Sequence, residues 1–316
     1  MTESHLAATV AGLRHKPVHK RRILMTAGCR DADGIPKVPD AGRVFRKGFR
    51  RYQLMHNGVR VVADGYDGSW MTEIIRLLKG HHEPQEERVF HEVLPHIPPG
   101  GIMLELGSYW AYYSLWFNRS VPGARNYMIE PDPKNLALGR KNFALNGARG
   151  EFFQYAIGSR SGPPIPFKCR GGRVRPIELI CVDDFIAAEK IPRIDLLLSD
   201  IQGFELGMLQ GAERAIGERK IRFAVVSTHH PSISGDAEIH AQCLAFIAGH
   251  GGHVLASHTV GESFSGDGLI AASFWPEDRN LPAIPLSRND PAASARAMGW
   301  EPVEGAGGGR PGSTSP

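Results

Sequence analysis

The sequence predicts an α/β protein built on a doubly wound, Rossmann-like parallel sheet with an antiparallel edge strand. Apolar segments alternate with segments of helical periodicity from residue 102 to residue 250, which is the pattern of β-α-β units. Two of these segments, 102–106 and 126–130, carry the acids Glu105 and Glu130 near their ends. Acids at the carboxyl ends of parallel strands are typical of nucleoside sites in such folds.

A small annex of a hairpin and helices is predicted over residues 49–98, ahead of the sheet. Residues 52–62 alternate around an Asn-Gly pair, which suits the type I′ turn of a β-hairpin. Helices are expected over 70–78 and from Pro84 onward, because apolar residues recur there at helical spacing.

The sheet domain is predicted over residues 99–276. Its strands are expected at 102–106, 126–130, 151–157, 177–181, 194–199, 221–227, 253–257 and 268–274. Its helices are expected at 111–119, 133–145, from Val182, at 204–216 and at 237–250. A Gly- and Pro-rich excursion at 160–176 with four basic residues fits either an exposed loop or a wall for an anionic acceptor.

Both ends of the chain are predicted to be flexible. Residues 1–48 are rich in Arg, Lys, Gly and Pro, although the whole chain has a net charge of only +4. This basic arm fits either a contact with nucleic acid or anionic lipid or a solvated tail, and the lack of interleaved aromatic residues favours the tail. Residues 277–316 are rich in Pro, Gly, Ser and Ala and are predicted as a C-terminal tail.

The composition fits a cytoplasmic protein. The four cysteines are far apart and form no Cys-x-x-Cys pair, so we expect free thiols in a reducing compartment. No apolar run approaches the roughly 20 residues that span a bilayer, and no apolar segment follows the N-terminal charges as in a secretory signal.

Polar side chains are expected at the carboxyl ends of four core strands: Glu105, Glu130, Asp200 and His229. Gly107 follows the first acid and allows a tight turn beneath a ligand. The loop has one glycine where a dinucleotide fold has three, which disfavours a nicotinamide-dependent dehydrogenase and suits a ligand without phosphates.

The motifs around these residues resemble the FkbM family of S-adenosylmethionine-dependent methyltransferases, over about residues 65–275. The matching motifs are Gly80-His81-His82-Glu83-Pro84, Glu105-Leu106-Gly107, Tyr112-Tyr113-Ser114, Ile129-Glu130-Pro131-Asp132, Val182-Asp183-Asp184-Phe185, Asp200-Ile201-Gln202-Gly203-Phe204-Glu205, Gly211-Ala212 and Ser227-Thr228-His229. The most specific motif is the Asp-x-Gln-Gly-x-Glu run before a helix. The resemblance implies a class I methyltransferase fold that uses S-adenosylmethionine to methylate hydroxyls of sugars and natural products.

The resemblance also implies a set of cofactor-binding residues: Glu105, Gly107, Ser108, Tyr109, Glu130, Tyr155, Ala156 and Asp200. Glu105 would orient the methionine amino group through the loop, and Glu130 would accept hydrogen bonds from both ribose hydroxyls. Tyr155 and Ala156 would lie near the adenine. Asp200 would border the methionine end and the substrate.

Four positions depart from the family pattern. The family usually has Asn in place of Tyr109 and Gly in place of Ala111, and it often has Lys in place of Leu198 and Glu in place of Gln202. Tyr109 either packs over the cofactor or obstructs it, and Ala111 is compatible with the loop if its φ is negative. These departures leave open an alternative function, a non-catalytic methyltransferase-like binding module.

The chemistry of the implied reaction calls for a base, because a hydroxyl is a poor nucleophile until its proton leaves. His229 is predicted as that base, since an imidazole is ordinarily neutral near pH 7. Asp200 either orients His229 or is the base itself. A divalent metal on Asp200 and a histidine would acidify the hydroxyl instead, but two ligands are too few to predict a metal site.

The acceptor is expected to be a small molecule or a glycan, and the oligomeric state is left open. Nucleic acid is not expected, because enzymes that methylate exocyclic amines carry Asn/Asp-Pro-Pro-aromatic where this chain has Ser-Asp-Ile-Gln at 199–202. Glu205 is interpreted as a first-turn helix acid without a catalytic role. His81 and His82 are interpreted as surface residues.

Overall fold

The computed structural model describes residues 2–48 and 50–300. Its strands, in chain order, are β1 (Val44–Lys47), β2 (Arg50–Leu54), β3 (Arg60–Val62), β4 (Ile102–Leu106), β5 (Arg125–Ile129), β6 (Glu151–Phe153), β7 (Ala156–Ile157), β8 (Gly162–Lys168), β9 (Val174–Ile180), β10 (Ile194–Ser199), β11 (Ile221–Thr228), β12 (His253–His258) and β13 (Gly268–Ser273).

Twelve α-helices connect and cover these strands within the described ranges. They are α1 (Glu3–Ala11), α2 (Pro17–Gly28), α3 (Ser69–Leu77), α4 (Pro84–Val93), α5 (Tyr112–Ser120), α6 (Pro133–Asn146), α7 (Val182–Ala188), α8 (Glu205–Gln210), α9 (Glu213–Gly217), α10 (Pro231–Ser234), α11 (Ile239–Gly249) and α12 (Pro291–Met298).

The central sheet has seven strands in the order β12-β13-β11-β10-β4-β5-β6. Strands β11, β10, β4, β5 and β6 are parallel, and β13 runs antiparallel to both of its neighbours. The predicted doubly wound fold with late antiparallel pairing is therefore confirmed. The antiparallel strand is second from the edge, and β12 occupies the edge itself.

Both faces of the central strands β4, β10 and β11 are buried, which explains why these strands are mostly apolar. Along β4, Leu104 and Leu106 pack on one face with residues of α7, α8, α9 and α11. Met103 packs on the other face with residues of α3, α4 and α5. Because successive side chains of a strand point to opposite faces, Glu105 lies on the same face as Met103.

The predicted hairpin of the annex is present as β2 and β3, with Tyr52 paired to Val62. The additional strand β1, which the sequence analysis did not predict, pairs with β2. The Gly- and Pro-rich excursion forms a β-hairpin of β8 and β9, which joins β7 in a separate three-stranded sheet. The predicted strand at 151–157 is thus divided between two sheets, as β6 and β7.

The N-terminal segment is folded, so the prediction of a flexible arm over residues 1–48 is corrected. Leu6 and Val10 of α1 and Ile23 of α2 are buried in the main core. These apolar residues lie on the helix sides that meet the protein, while most of the basic residues between them remain exposed or half-buried. Because basic residues surround these apolar residues in the sequence, the helical spacing of the apolar residues was not recognised.

The C-terminal segment is also folded as far as residue 300. Asp290 caps α12 by accepting hydrogen bonds from the backbone N–H groups of Ala292 and Ala293. The helix packs against α2, where Arg21 Nε donates to the carbonyl of Arg296 over 3.1 Å. The remainder of the predicted tail, 301–316, lies outside the described residues.

The cysteines Cys29, Cys169, Cys181 and Cys243 are all free thiols and all buried. Of the helices in the described ranges, none has both the length and the apolar character required to cross a membrane.

Candidate functional site

The fold brings four predicted polar residues to one edge of the central sheet. Glu105 is the penultimate residue of β4. Glu130, Asp200 and His229 directly follow β5, β10 and β11. These are four consecutive parallel strands of the sheet, so their carboxyl ends lie at one edge. The strand pattern in the sequence was therefore sufficient to predict that these four side chains lie at one edge of the sheet.

Gly107 is required by the close approach of two strand ends. Its φ is +74°, and a Cβ at this position would lie 1.8 Å from the backbone oxygen of Asp200. The N–H of Asp200 in turn donates to the carbonyl of Leu106 over 3.0 Å. Only glycine allows both the left-handed turn and this contact.

The loop after Gly107 is tied to the end of β5. The N–H groups of Gly107 and Ser108 both donate to the carbonyl of Ile129, over 2.9 and 3.1 Å. Ser108 is buried, and its Oγ has no hydrogen-bond partner in the part of the chain that the structure describes. The Ser108 hydroxyl is thus a polar group at the strand edge that remains available to a ligand.

Glu130 is held at this loop by backbone donors. Its Oε2 accepts from the N–H of Tyr109 over 3.0 Å, and its Oε1 accepts from the N–H of Asp132 over 2.8 Å. Burial raises the pKa of the Glu130 carboxyl to about 8, although the hydrogen bond from Asp132 opposes the rise. Oε1 also accepts from Asn135 Nδ2 over 3.5 Å, and Oε2 retains a further lone pair with which it can accept a ligand hydroxyl.

Glu105 is buried behind the loop and not in an open pocket. Its Oε2 accepts from the N–H of Ser114 in the first turn of α5, over 3.1 Å. Burial raises the pKa of Glu105 to about 8, against the effect of the Ser114 hydrogen bonds. Glu105 is thus tied to α5, the helix that follows the loop.

The two unusual loop residues adopt positive φ angles, +41° for Tyr109 and +57° for Ala111. The condition under which Ala111 was expected to fit, a negative φ, is therefore not met, and the residue bears a left-handed cost of about 1–2 kcal/mol. The Tyr109 ring packs on Tyr66 at 5.0 Å, and its hydroxyl accepts from the N–H of Asp67 over 3.3 Å. The guanidinium of Arg170 lies 5.0 Å from the same ring.

Tyr155 and Ala156 lie at the transition between the two sheets. Ala156 is buried at the start of β7, and Tyr155 is half-buried against the second core cluster. Both therefore lie beyond the end of β6, two strands away from Glu105.

His229 is buried between carboxylates on both ring nitrogens, which corrects its prediction as a neutral base. Its Nδ1 is 2.7 Å from Glu205, and its Nε2 is 3.0 Å from Asp200 and 3.5 Å from Asp267. Burial alone would lower the pKa of His229, but the charges and hydrogen bonds of these carboxylates raise it well above its ordinary value. These carboxylates therefore favour the charged form of His229, in which both ring nitrogens donate and neither can accept a proton.

Glu205 has a larger role than the sequence analysis gave it. It is fully buried, and its Oε1 accepts from His229 Nδ1 and from the N–H of Gly203 over 3.0 Å. A carboxylate on Nδ1 fixes the ring orientation and favours the charged form. The signal that was available was its position five residues after Asp200, across a glycine turn.

Asp200 is committed to His229 and Gln202. Besides the ring contact, its Oδ1 accepts from Gln202 Nε2 over 3.2 Å. Burial would raise the pKa of Asp200, but the hydrogen bond and charge of His229 lower it below its ordinary value. The same Gln202 Nε2 also lies 2.9 Å from His229 Nε2.

A pocket of about 300 Å³ opens beside Asp200. It is lined by the carboxylates of Asp67, Glu83, Asp200 and Asp267 and by the rings of Tyr66, Trp70 and Trp300. Arg22 and Thr26 of α2 and Met298 of α12 also line it. The two segments that were expected to be flexible thus form part of its wall.

Asp267 is a site residue that the sequence analysis missed. It directly precedes β13, and Gly268 pairs with Thr228 of β11, so Asp267 lies beside His229. Parallel strands bring their carboxyl ends to this edge, whereas the antiparallel strand β13 brings its beginning to the same edge. A polar residue before the late antiparallel strand was the available signal.

His81 and His82 are buried, so their interpretation as surface residues is wrong. Both rings bond to Glu87, His82 through Nδ1 over 2.6 Å. His82 Nε2 also lies 3.3 Å from Glu83 at the pocket wall. Burial opposes a proton on His82, yet Glu83 and Glu87 raise its pKa to about 10.

No arrangement of three or more His, Cys, Asp or Glu side chains suited to a metal ion occurs within residues 2–48 and 50–300.

Residues 96–254 match the model of a family described as "Methyltransferase FkbM domain". No curated protein matches the chain. Three similar solved structures are M. capricolum TrmK with S-adenosyl-homocysteine, magnesium protoporphyrin IX methyltransferase from Synechocystis PCC 6803 with SAM, and an O-methyltransferase from Bacillus cereus with SAH. Their identities are 13%, 11% and 17%, and their TM-scores are 0.39, 0.40 and 0.38. The alignments cover 58%, 60% and 60% of this chain and 67%, 77% and 80% of those chains.

Proposed function

Because the chain belongs to the FkbM family of S-adenosylmethionine-dependent methyltransferases, we propose that it methylates a hydroxyl of a carbohydrate or natural-product acceptor. The single observation that carries this proposal is the pocket beside Asp200. Carboxylates accept hydrogen bonds from hydroxyl groups, and aromatic rings pack against the apolar faces of a ring-shaped ligand. The lining therefore suits a compact, polyhydroxylated molecule.

The residues at the strand edge fit the cofactor of the family. Gly107 lets the loop backbone turn where no side chain has room, and Ser108 presents a buried hydroxyl without a partner in the described ranges. Glu130 would hold the ribose hydroxyls and Glu105 would hold the loop, with Tyr155 and Ala156 toward the adenine. When bound, S-adenosylmethionine supplies an electrophilic methyl carbon.

The residues near the pocket would position the acceptor and hold its charge balance. Asp200 lies between the cofactor loop and the pocket, since its backbone touches Gly107 and its side chain lines the pocket. The imidazolium of His229 lies behind Asp200, where Glu205 fixes the ring. His229 would thus act as a positioning residue by orienting a carboxylate that contacts the acceptor.

The non-catalytic alternative depended on Tyr109 and on Ala111 in place of a second glycine, and family membership makes the chain an enzyme instead. The Tyr109 ring is engaged with Tyr66 and Asp67 at the rim of the pocket. Tyr109 would then join the cofactor loop to the acceptor pocket. The four buried free thiols support the further proposal that the enzyme works in the cytoplasm.

Two measurements on the purified full chain test this proposal. The first is calorimetric titration with S-adenosylmethionine, with Glu130→Gln as the variant and Glu151→Gln, an exposed acid on β6, as its matched control. We expect binding by the wild type and the control and a strong loss of binding in Glu130→Gln, because a carboxamide accepts fewer hydroxyl hydrogen bonds.

The second measurement uses methyl-labelled S-adenosylmethionine with methyl glycosides of hexoses and 6-deoxyhexoses. The expected result is a labelled O-methyl glycoside identified by mass spectrometry. Transfer of the label only to amines would refute the proposed acceptor class and leave the family assignment intact.

A further inference from the structure

We propose that Asp267 is the base that accepts the proton of the acceptor hydroxyl, and that His229 and Asp200 form the charged platform beside it. This inference rests on the proposed function, because it assumes a hydroxyl acceptor in the pocket beside Asp200. It replaces the expectation that His229 itself takes the proton.

Asp267 lies between the pocket and His229. Asp267 lines the pocket, and its side chain keeps 29% of its surface exposed there. Its Oδ1 lies 3.5 Å from His229 Nε2, on the same nitrogen that contacts Asp200 at 3.0 Å. The two carboxylates therefore flank one imidazolium edge at the mouth of the cofactor loop.

The other three pocket carboxylates are already engaged. Asp200 accepts hydrogen bonds from His229 and Gln202, and Asp67 pairs with Arg170 over 2.8 Å. Glu83 accepts from the hydroxyls of Tyr66 and Tyr113, over 3.3 and 3.4 Å, and lies 3.3 Å from His82.

Asp267, by contrast, has the long contact with His229 as its one side-chain ion pair in the described chain. A carboxylate with free lone pairs can take a proton without breaking a strong hydrogen bond. Among the pocket acids, Asp267 is therefore the one best prepared to accept a proton from a ligand.

The surroundings of Asp267 raise the pKa of its carboxyl group. Burial raises the pKa of Asp267 to about 7, and Asp200 and Glu83 add to the rise, while His229 and Arg22 oppose it. These are the charged groups that face Asp267 from β10, β11, α2 and the segment before α4. A base with a pKa near the working pH combines an available lone pair with sufficient basicity.

The segment before β13 is held firmly. Ser263 Oγ accepts from the N–H groups of Ser265 and Gly266, both over 3.0 Å. Gln85 of α4 accepts from the N–H of Phe264 over 2.8 Å, and Thr26 of α2 donates to the Phe264 carbonyl over 2.7 Å. The segment that carries Asp267 is thus held by α2 and α4, as the fixed position of a proton acceptor requires.

The atoms and electrons of the step balance without a further reactant. The acceptor oxygen forms a bond to the methyl carbon as its proton passes to a carboxylate oxygen of Asp267. The electron pair of the broken carbon–sulfur bond remains on sulfur, which loses its positive charge. Asp267 returns its proton to solvent through the pocket when the product leaves.

An acceptor-independent experiment tests the proton affinity of Asp267 directly. Protein labelled with [4-¹³C]aspartate is titrated by NMR from about pH 4 to about pH 9, in the wild type, Asp267→Asn and Asp200→Asn. We expect one carboxyl resonance with a midpoint near 7, absent from Asp267→Asn. Its midpoint should be lower in Asp200→Asn, because a neighbouring negative charge is removed. A titration in which every aspartate resonance has a midpoint below about pH 5 would overturn the proposal.

A kinetic experiment then tests the role in turnover with any methyl glycoside that the wild type methylates. Asp267→Asn should lower kcat by about 10²–10⁴-fold and abolish the rise of kcat with pH near 7, with little change in cofactor affinity. Asp267→Glu should recover part of kcat. Asp184→Asn, on the exposed end of α7, is the matched control and should leave kcat unchanged.

The two proposals fail in distinguishable ways. A wild type that methylates no glycoside refutes the proposed acceptor, and the NMR midpoint still decides the protonation of Asp267. Full kcat in Asp267→Asn, with its pH dependence retained, would overturn the role of Asp267 while the acceptor class stands. Thermal unfolding of each variant shows whether a loss of kcat follows from a loss of folding.

Discussion

The contact between Gly107 and Asp200 leads to a sharp prediction, because one substitution tests the join between the cofactor loop and the acceptor pocket. In Gly107→Ala, the new Cβ would lie 1.8 Å from the Asp200 backbone oxygen and 2.8 Å from its carbonyl carbon. Ordinary carbon contacts lie at roughly 3.5 Å, so the end of β10 must move by about 1.7 Å. That movement would carry Asp200 away from His229.

The magnitude follows from two costs. A left-handed φ of +74° costs alanine about 1–2 kcal/mol, and overpacking against a backbone adds about 1–3 kcal/mol. The free energy of unfolding should therefore fall by about 2–5 kcal/mol, which lowers Tm by roughly 5–15 °C for a domain of this size. A displacement of about 1 Å at the site should also lower kcat by about 100-fold.

Gly147 offers a matched control for this variant. It ends α6 with a φ of +62°, and a Cβ there would meet no atom within 4 Å. Gly147→Ala therefore bears the left-handed cost alone, and the difference in Tm between the two variants measures the clash. Calorimetric unfolding and initial rates provide the data. Equal losses of Tm in both variants, with kcat of Gly107→Ala unchanged, would refute the close approach.

Three other predictions concern stability and charge. Ile23→Ala should lower the free energy of unfolding, measured by urea denaturation, by about 2–5 kcal/mol, since Ile23 is fully buried. An unchanged free energy of unfolding would contradict the packing of α2. Glu205→Gln should destabilise the protein by about 3–5 kcal/mol and lower the pKa of His229, read from its imidazole NMR signals; an unshifted pKa would argue against the pairing. Asp267 has a pKa of about 7, above its ordinary 3.8, so the folded state binds more protons. The free energy of unfolding should therefore fall as pH rises from about 4 through about 7, by up to about 4 kcal/mol, and Asp267→Asn should remove this part of the slope.

Much of the fold could be predicted because the core strands are self-evident in the sequence. β4, β5, β10 and β11 are buried on both faces and are therefore mostly apolar, with few polar residues among them. Glycine and proline mark the ends of the helices between them, as Pro133 and Gly147 do for α6. The terminal helices were missed because a few apolar residues, such as Leu6 and Ile23, are set among many charges.

The candidate site could be predicted only in part. Residues that follow a parallel strand, such as Asp200 and His229, needed no more than the direction of the strands. Asp267 needed the pairing of β13 with β11, which depends on contacts between segments about forty residues apart. Pairing of that kind leaves little trace in local sequence.

The sequence by itself determined the doubly wound sheet, the glycine turn at Gly107 and the family, because these depend on local periodicity and on short motifs. Only the tertiary structure decided the surroundings of His229 and the part of the pocket wall that α2 and α12 form. A pKa depends on all charges within a few ångströms, and the three carboxylates around His229 come from separate elements. That part of the wall depends on the packing of α2 against α12, which are far apart in the chain and meet only when it folds.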